Sequence, residues 1–311
     1  MKKSLTSLLV VVITVTLSAQ NYAEAHLKVH QISTNVIIEQ KNYELANTLF
    51  LELFEKWDYR FRDGLQTALF NRLCNMHGTW GKDSIDIDFY LQKIVLTPLT
   101  KNEILETCRC ADDKTQTIIS QKINFYDSIA QSKLDKELIS LIDSMFAEDQ
   151  RVRTNEVSRE ESWRVDSLNL VVLKELMNKY GRFLGVRDLG KSARKYEMLI
   201  IHLEPEQILD VWHDKILESV YRGDLSPSGM TYAIDYAIFK SFEIIDGRPA
   251  VRYSRYGQTN FGNLVVPVRD IEETNKLRKS VGLPPLEYRI KMENLIYDVD
   301  IFKNRFQLIE E

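Results

Sequence analysis

The sequence predicts a mainly α-helical protein, and three observations carry that reading. Glycine (12) and proline (7) are scarce in 311 residues, so little interrupts a helix. Apolar residues recur every three to four positions over most of the chain. Only one stretch, near 250–268, changes to short extended segments around a Gly-rich turn.

The first twenty residues have their own logic. Lys2 and Lys3 precede an apolar run, LLVVVITVTL, which breaks at Ser18, Ala19 and Gln20. A basic start, a short apolar core and a small residue before a polar segment are the parts of a secretory signal peptide. Ten apolar residues are too few to cross a bilayer, which takes about 20. The expectation is a signal peptide over 1–19, cleavage after Ala19, and an exported chain in the periplasm or outside the cell, with no membrane insertion after cleavage. The net charge of −4 and the lack of a basic block leave no electrostatic footprint for nucleic acid.

Residues 35–57 place Ile37, Leu45, Leu49, Leu53 and Trp57 on one stripe of a helix. Asp63 is positioned to cap a second helix through Leu65, Leu69, Leu73 and Met76, stopped by Gly78. A third covers 83–95, and Thr100 caps a short fourth. Helix pairs of this size are repeat-like, each hiding its apolar stripe against the next, in the manner of a degenerate tetratricopeptide-like region over 20–130. From 112 to 157 the pattern stays helical without a glycine or proline, so a boundary to the second domain, 131–311, is placed near residue 130.

Helices are then expected over 165–180, ended by Gly181, and over 192–203, whose end MLIIHL is apolar on nearly every side. Pro205 opens a helix running to Gly223, and Ser226 with Pro227 opens another to Gly247. Segments 251–256 and 264–268 read as extended. Asp270 caps a helix to Ser280, and GLPPLEY closes the core before a charged tail.

The cysteines are Cys74, Cys108 and Cys110. In an oxidising compartment a disulfide from Cys74 to Cys108 or Cys110 is the first expectation, with one thiol left over. Cys74, His77, Cys108 and Cys110 have the chemistry of a tetrahedral zinc site, but the Cys-x-Cys spacing is tight, so no metal is assigned. Asp83, Asp86 and Asp88 lack the glycine turn of a calcium loop. No cofactor is expected. No nucleophile elbow, Walker loop, dinucleotide fingerprint or HExxH occurs.

His202 is the ionisable group inside MLIIHL, and burial there would disfavour the imidazolium and suit a base or ligand. Asp235 sits among apolar neighbours on a helix and must find a cation or donors. A His202–Asp235 pair across adjacent helices would be an acid–base pair. Asp149 and Arg153 are four apart and can pair along a helix, leaving Arg151 to reach a ligand. The arginines 248, 252 and 255 with Tyr253 and Tyr256 are split between two faces by strand alternation, and read as solvated.

Motifs MFAEDQRVR (145–153), VDSLNL (165–170), IIHLEP (200–205), YRGDLSP (221–227), YAIDYAI (232–238), GRP (247–249), YGQTNFG (256–262) and GLPPLEY (282–288) occur in that order. Through them the stretch 145–288 resembles domain-of-unknown-function family 6624, found in secreted bacterial proteins. The resemblance implies a helical domain and no established activity. It marks Asp149, Gln150 and Arg151 as an acidic–Gln–Arg group, and it marks His202 and Asp235. The family has Gln before the histidine and Arg after the aspartate, where this chain has Ile201 and Tyr236. Its Tyr-Gly-Thr-Gln turn appears as Tyr256-Gly257-Gln258-Thr259. Together the residues point first to a binding module for a protein or small-molecule ligand, with Asp149, Gln150, Arg151, Arg153, Tyr256 and Gln258 as binding residues. The alternative is a hydrolase-like or ligand-modifying enzyme with His202 and Asp235 as the catalytic pair.

Overall fold

The computed structural model describes residues 22–76, 84–154, 157–245 and 248–309. The signal segment, His77, Gly78, Asp83 and Gly247 lie outside the described residues. Helices dominate, with a few short strands near 243–265 and at the C-terminal end, as a mainly α fold requires. No helix among the described residues is long and apolar enough to cross a membrane.

The chain forms two compact units. The N-terminal unit is Glu24–Ser144 together with Leu184–Lys195. The C-terminal unit holds Met145–Phe183, the chain from Tyr196 onward, and Tyr22 and Ala23 of the segment Met1–Ala23.

The first helix, α1 (22–39), changes to π-helical winding over Ile32–Glu39. The expected single helix over 35–57 is broken. Lys41 takes a left-handed φ of 53°, and the Asn42 side chain accepts from the Leu45 N–H to start α2 (Tyr43–Lys56). Helix α3 (Arg62–Phe70) follows, with Asp63 in its first turn rather than at the cap, where Phe61 stands. There the carboxylate still faces the positive helix end. Helix α4 is Ser84–Ile94 and α5 is Lys101–Thr107. Thr100 and Glu103 close a reciprocal capping box on α5. The long helical stretch after Asp112 is two helices, α6 (Asp113–Ser132) and α7 (Lys136–Thr154). Asp135 Oδ1 accepts from the N–H groups of Glu137 and Leu138, so an aspartate restarts the helix where no breaker residue stands.

In the N-terminal unit α3 packs on α4 and α5, and both of those pack on α6. Phe50, Phe54, Tyr59, Leu65, Leu69, Tyr90 and Ile94 are sealed from solvent in its core. Phe54 stacks on Tyr59 with ring centroids 4.9 Å apart. Cys74 and Cys110 form a disulfide, with Cα atoms 5.3 Å apart and 36 residues of separation. That bond removes two of the four zinc-ligand candidates. Cys108 is the free thiol, fully buried, and burial pushes it up to about 12.

In the C-terminal unit α8 (Arg159–Tyr180) starts at a Ser158 cap, earlier than expected, and closes where the Gly181 N–H donates to the Met177 carbonyl. After the short α9 (Val186–Leu189) of the other unit comes α10 (Ala193–Ile201). His202 stands one residue past the α10 end, its N–H donating to the Met198 carbonyl. The expected helix from Pro205 divides at Trp212 into a π turn (Gln207–Val211) and α11 (His213–Tyr221). Helix α12 (Pro227–Lys240) is capped by Ser226 and stops short of Gly247, because the chain becomes β1 (Glu243–Ile245). Strand β1 pairs antiparallel with β2 (Arg248–Arg252). A hairpin follows, β3 (Asn260–Phe261) with β4 (Leu264–Val265). Asp270 caps α13 (Ile271–Ser280), and α14 (Leu286–Met292) and α15 (Val299–Lys303) follow.

The expected charged tail is folded. Strand β5 (Gln307–Ile309) pairs parallel to β2, with Val251 opposite Leu308. Phe302 and Phe306 pack with Val251, Leu264 and Val266 in one cluster. The start of the described chain is also held: the Ala23 carbonyl lies so close to Gly282 that a Cβ there would come within 2.5 Å of it.

Candidate functional site

The eight residues singled out by sequence fall into two separate groups, both in the C-terminal unit. The first is built where α7, α8 and the end of α10 supply side chains to one another. Asp149 on α7 has no solvent exposure, and His202 Nδ1 lies 2.9 Å from its Oδ2 and 3.0 Å from its Oδ1. Arg153, one turn further along α7, donates from Nε and Nη2 to Asp149 Oδ1 at 3.1 and 2.9 Å. Its Nη2 also donates to Asp166 Oδ1 on α8 at 2.5 Å. Gln150 donates its side-chain amide to Asp149 Oδ2 at 2.9 Å.

One nitrogen of His202 has two neighbours, because Arg153 Nε stands 2.9 Å from Nδ1 as well. An arginine nitrogen has no lone pair to offer, whereas Asp149 is an acceptor. With its proton on Nδ1 the ring donates to Asp149 and keeps Nε2 as an acceptor, whereas with the proton on Nε2 its Nδ1 accepts the Arg153 Nε–H. Burial works to raise the Asp149 carboxyl, but the bonds from His202 and Arg153 outweigh it and hold the group below its usual range. Asp166 is pushed the other way, upward, by burial and by the Asp149 charge, against the pull of Arg153 and His202. Two carboxylates thus share one guanidinium, with the better-paired one at the centre.

Arg151 is committed elsewhere. Its guanidinium grips Glu148 at 2.8 Å and also bonds Glu161, tying α7 to α8. The expected ligand-binding fork already holds two carboxylates.

Beside the cluster, α8 and the turn after α10 border a cleft of about 340 Å³. Arg159, Trp163, Asp166, Ser167 and Leu170 line one side and Leu203 and Glu204 the other. The Arg159 guanidinium lies over the Trp163 ring at 4.8 Å.

The second group corrects the expected His202–Asp235 pair. Asp235 on α12 is 1 % exposed, and its partners come from 254–258. Its oxygens accept from the backbone N–H of Arg255 (2.8 Å), Tyr256 (3.0 Å) and Gln258 (2.7 Å), and from Ser254 Oγ at 2.6 Å. Burial pushes this carboxyl up, opposed by the Ser254 hydroxyl and those N–H groups. From the other side, Arg278 Nη1 donates to the Tyr256 carbonyl and Arg289 Nη1 to the Gly257 carbonyl, at 2.7 and 2.6 Å. Burial and the neighbouring Arg289 pull Arg278 down to about 10, against the attraction of Asp235. Gly257 takes φ +65° and sits against Leu286, so a side chain there would be both strained and crowded. Tyr256 and Gln258 are buried parts of this turn. It is a clamp on the backbone, with its polar groups paired inward.

Sequence reasoning passed over Asp166, Trp163, Ser254, Arg278 and Arg289. Asp166 lay within VDSLNL, and its spacing from Trp163 and Leu170 on α8 was the available signal. The arginines lay in segments whose charge density looks solvated.

A family model for the HIND motif matches residues 271–287. That span is α13, the turn after it and the first residues of α14, and it supplies the buried Arg278 and Leu286 to the clamp. It covers too little of the chain to assign a family. No curated protein and no solved structure matches the chain.

Acid titration should report the first group. Asp149 is held below its usual range, so its contribution is complete above the unfolded value of about 3.9 and is lost as pH falls through the lower folded value. Asp166, shifted upward, opposes part of this loss. Asp149→Asn should lower stability at pH 7 by about 1–3 kcal/mol and flatten the pH dependence below about pH 4. Urea titrations of both proteins at pH 7 and pH 3 measure this. An equal loss on acidification in the two proteins would show that Asp149 carries none of it.

Proposed function

We propose that the protein is an exported binding module of the cell envelope, and that the α8 face beside the Asp149–His202 cluster is what meets its partner. The observation that carries the reading is on α8. Trp163, Leu168 and Val171 are each half exposed, at 50 %, 54 % and 54 %, on a single helix. Large apolar side chains gathered on one exposed element mark contact surfaces more often than solvated ones. Trp163 also lines the polar cleft, which gives its edge of the surface hydrogen-bonding groups and a charged rim.

Export is supported by the charged–apolar–small start of the sequence and by the disulfide, which belongs to an oxidising compartment. The packing of Tyr22 and Ala23 fits a mature chain beginning shortly before them. The helical pairs of the N-terminal unit support a tetratricopeptide-like reading of that region, and the motifs over 145–288 support membership of family 6624.

A second reading rests on a specific observation of its own. Asp149, sealed from solvent, holds His202 Nδ1 and leaves Nε2 to act as a base, the arrangement in which a carboxylate orients a histidine. Asp149 then takes the role that sequence gave to Asp235.

In-cell crosslinking from position 163 should give a discrete adduct in the envelope fraction, on a chain whose N-terminus is Gln20. Leu168→Glu with Val171→Glu should abolish it, and His202→Gln should leave it unchanged. An intact Lys2–Leu17 segment in the mature protein would refute export. A crosslink lost with His202→Gln and kept with the α8 changes would favour the enzyme.

A further inference from the structure

We propose that His26 and His30, on α1 of the N-terminal unit, form a two-imidazole site for a late first-row divalent cation, Cu(II) above all. The two residues are four apart on the α-helical part of α1, so they lie one turn apart on the same face. Their Nε2 atoms are 3.3 Å from each other. Two imidazole nitrogens on one ion, each at about 2.0–2.1 Å, stand about 3.0–3.4 Å apart, so this spacing is the bite of a chelate. The rings are perpendicular, with centroids 4.8 Å apart. A straight N–H···N bond of this length would hold the centroids about 5.6 Å apart, and a shared ion about 5 Å apart. The observed contact is bent toward the second geometry.

The surroundings of His26 are those of a metal ligand, whose second ring nitrogen is held by an outer partner. Its Nδ1 lies 2.9 Å from Tyr59 Oη. With the proton on Nδ1 the ring donates to that hydroxyl and presents the Nε2 lone pair on the His30 side. Tyr59 is a firm support. It is sealed from solvent, stacks on Phe54, and lies so near Gly64 that a Cβ there would come within 2.7 Å of its ring. Phe61 meets the His26 ring at right angles, centroids 5.5 Å apart. Burial, with the neighbouring His30, pushes His26 well below its usual range and keeps it the neutral imidazole that binds metal. In this tautomer His30 lends the proton between the two Nε2 atoms, and on binding that proton passes through solvent to His30 Nδ1. His30 is only partly buried, which opens the pair to water. Among the described residues no third His, Cys, Asp or Glu completes a metal cluster, so water fills the remaining positions. With so few protein ligands, the intrinsic order of divalent affinities decides, and Cu(II) stands at its top.

Calorimetry and electron paramagnetic resonance on the untagged, disulfide-bonded protein titrated with Cu(II) test this. One Cu(II) per chain is expected, coupled to two nitrogens, with weaker binding of Zn(II) and much weaker binding of Mn(II). His30→Gln, at a partly buried position, removes one ligand and should abolish the site while circular dichroism stays that of the parent. Tyr59→Phe keeps both ligands but removes the outer partner of His26, and should weaken Cu(II) about tenfold. His213→Gln should change nothing. Absence of stoichiometric Cu(II) binding would overturn the proposal and leave His26 and His30 a hydrogen-bonded pair of the core. Coupling to a single nitrogen, or an affinity unchanged by His30→Gln, would overturn it in favour of copper at the N-terminal amine or another side chain.

Discussion

Replacing Cys74 with alanine and Cys110 with serine should destabilise the N-terminal unit by about 4 kcal/mol, the loop-closure value for a 36-residue separation. The bond joins the π-helical end of α3, Asn71–Asn75, to the segment just after α5, so it constrains α3, α4 and α5 together. Without it the unfolded chain gains freedom that the core must offset alone, and total stabilities are only about 5–15 kcal/mol. Cys108 gives the experiment an internal control. Its thiol is buried and pushed up to about 12, so it should resist alkylation in the native protein and react only on unfolding. Denaturant titration with and without reductant, scored by labelling of Cys108, measures both effects. A loss below about 1 kcal/mol, or a Cys108 that labels at once in native oxidised protein, would contradict this arrangement.

Where the sequence was legible, a local rule was decisive. Thr100 with Glu103, Ser226 with Pro227, and Asp270 before α13 each mark a helix start by satisfying its free N–H groups, and all three stand where expected. Helix breaks without breaker residues were hidden. Lys41–Asn42 and Asp135 end or restart helices through one side chain and one unusual φ, signals that a periodic apolar pattern overrides. The tail after GLPPLEY read as charged because its apolar residues, among them Ile301, Phe302, Phe306 and Leu308, are interleaved with Lys, Arg, Asp and Glu. Its place against β2 depends on a strand about 55 residues earlier, and no local pattern encodes such pairing.

The candidate site divides in the same way. Sequence required a polar partner for His202, either Asp235 or a residue of the Asp149–Arg153 segment, and in the structure Asp149 and Arg153 stand beside it. It also required donors for Asp235, as the structure shows. What it could not supply was their identity. A carboxylate that needs donors is served as well by backbone N–H groups as by an imidazole, and the choice is made by tertiary packing. The His202–Asp235 pair was the chemically attractive solution; the turn at 254–258 is the one the fold uses.

That turn yields the largest single-site effect expected here. Asp235→Ala removes the acceptor for three backbone N–H groups and the Ser254 hydroxyl, all within a region closed to water. Each orphaned buried donor costs about 1–3 kcal/mol, so the change should cost on the order of 4–6 kcal/mol, enough to leave the C-terminal unit marginal. Asp235→Asn should fare only a little better. It retains one acceptor oxygen but turns an NH₂ group toward N–H donors, and it leaves the buried Arg278 with only Glu293 and Glu287 as opposing charges. Arg278→Met supplies the cross-check. On its own it frees the Tyr256 and Pro284 carbonyls and should destabilise. Combined with Asp235→Asn it removes both buried charges at once, so the double change should cost less than the sum of the two single ones. Thermal or urea unfolding of the four proteins completes the cycle. An Asp235→Ala protein that loses less than about 1 kcal/mol would mean the turn stands without its carboxylate. Strict additivity would mean that the arginine and the aspartate, though they hold the same turn from opposite sides, do not sense each other's charge.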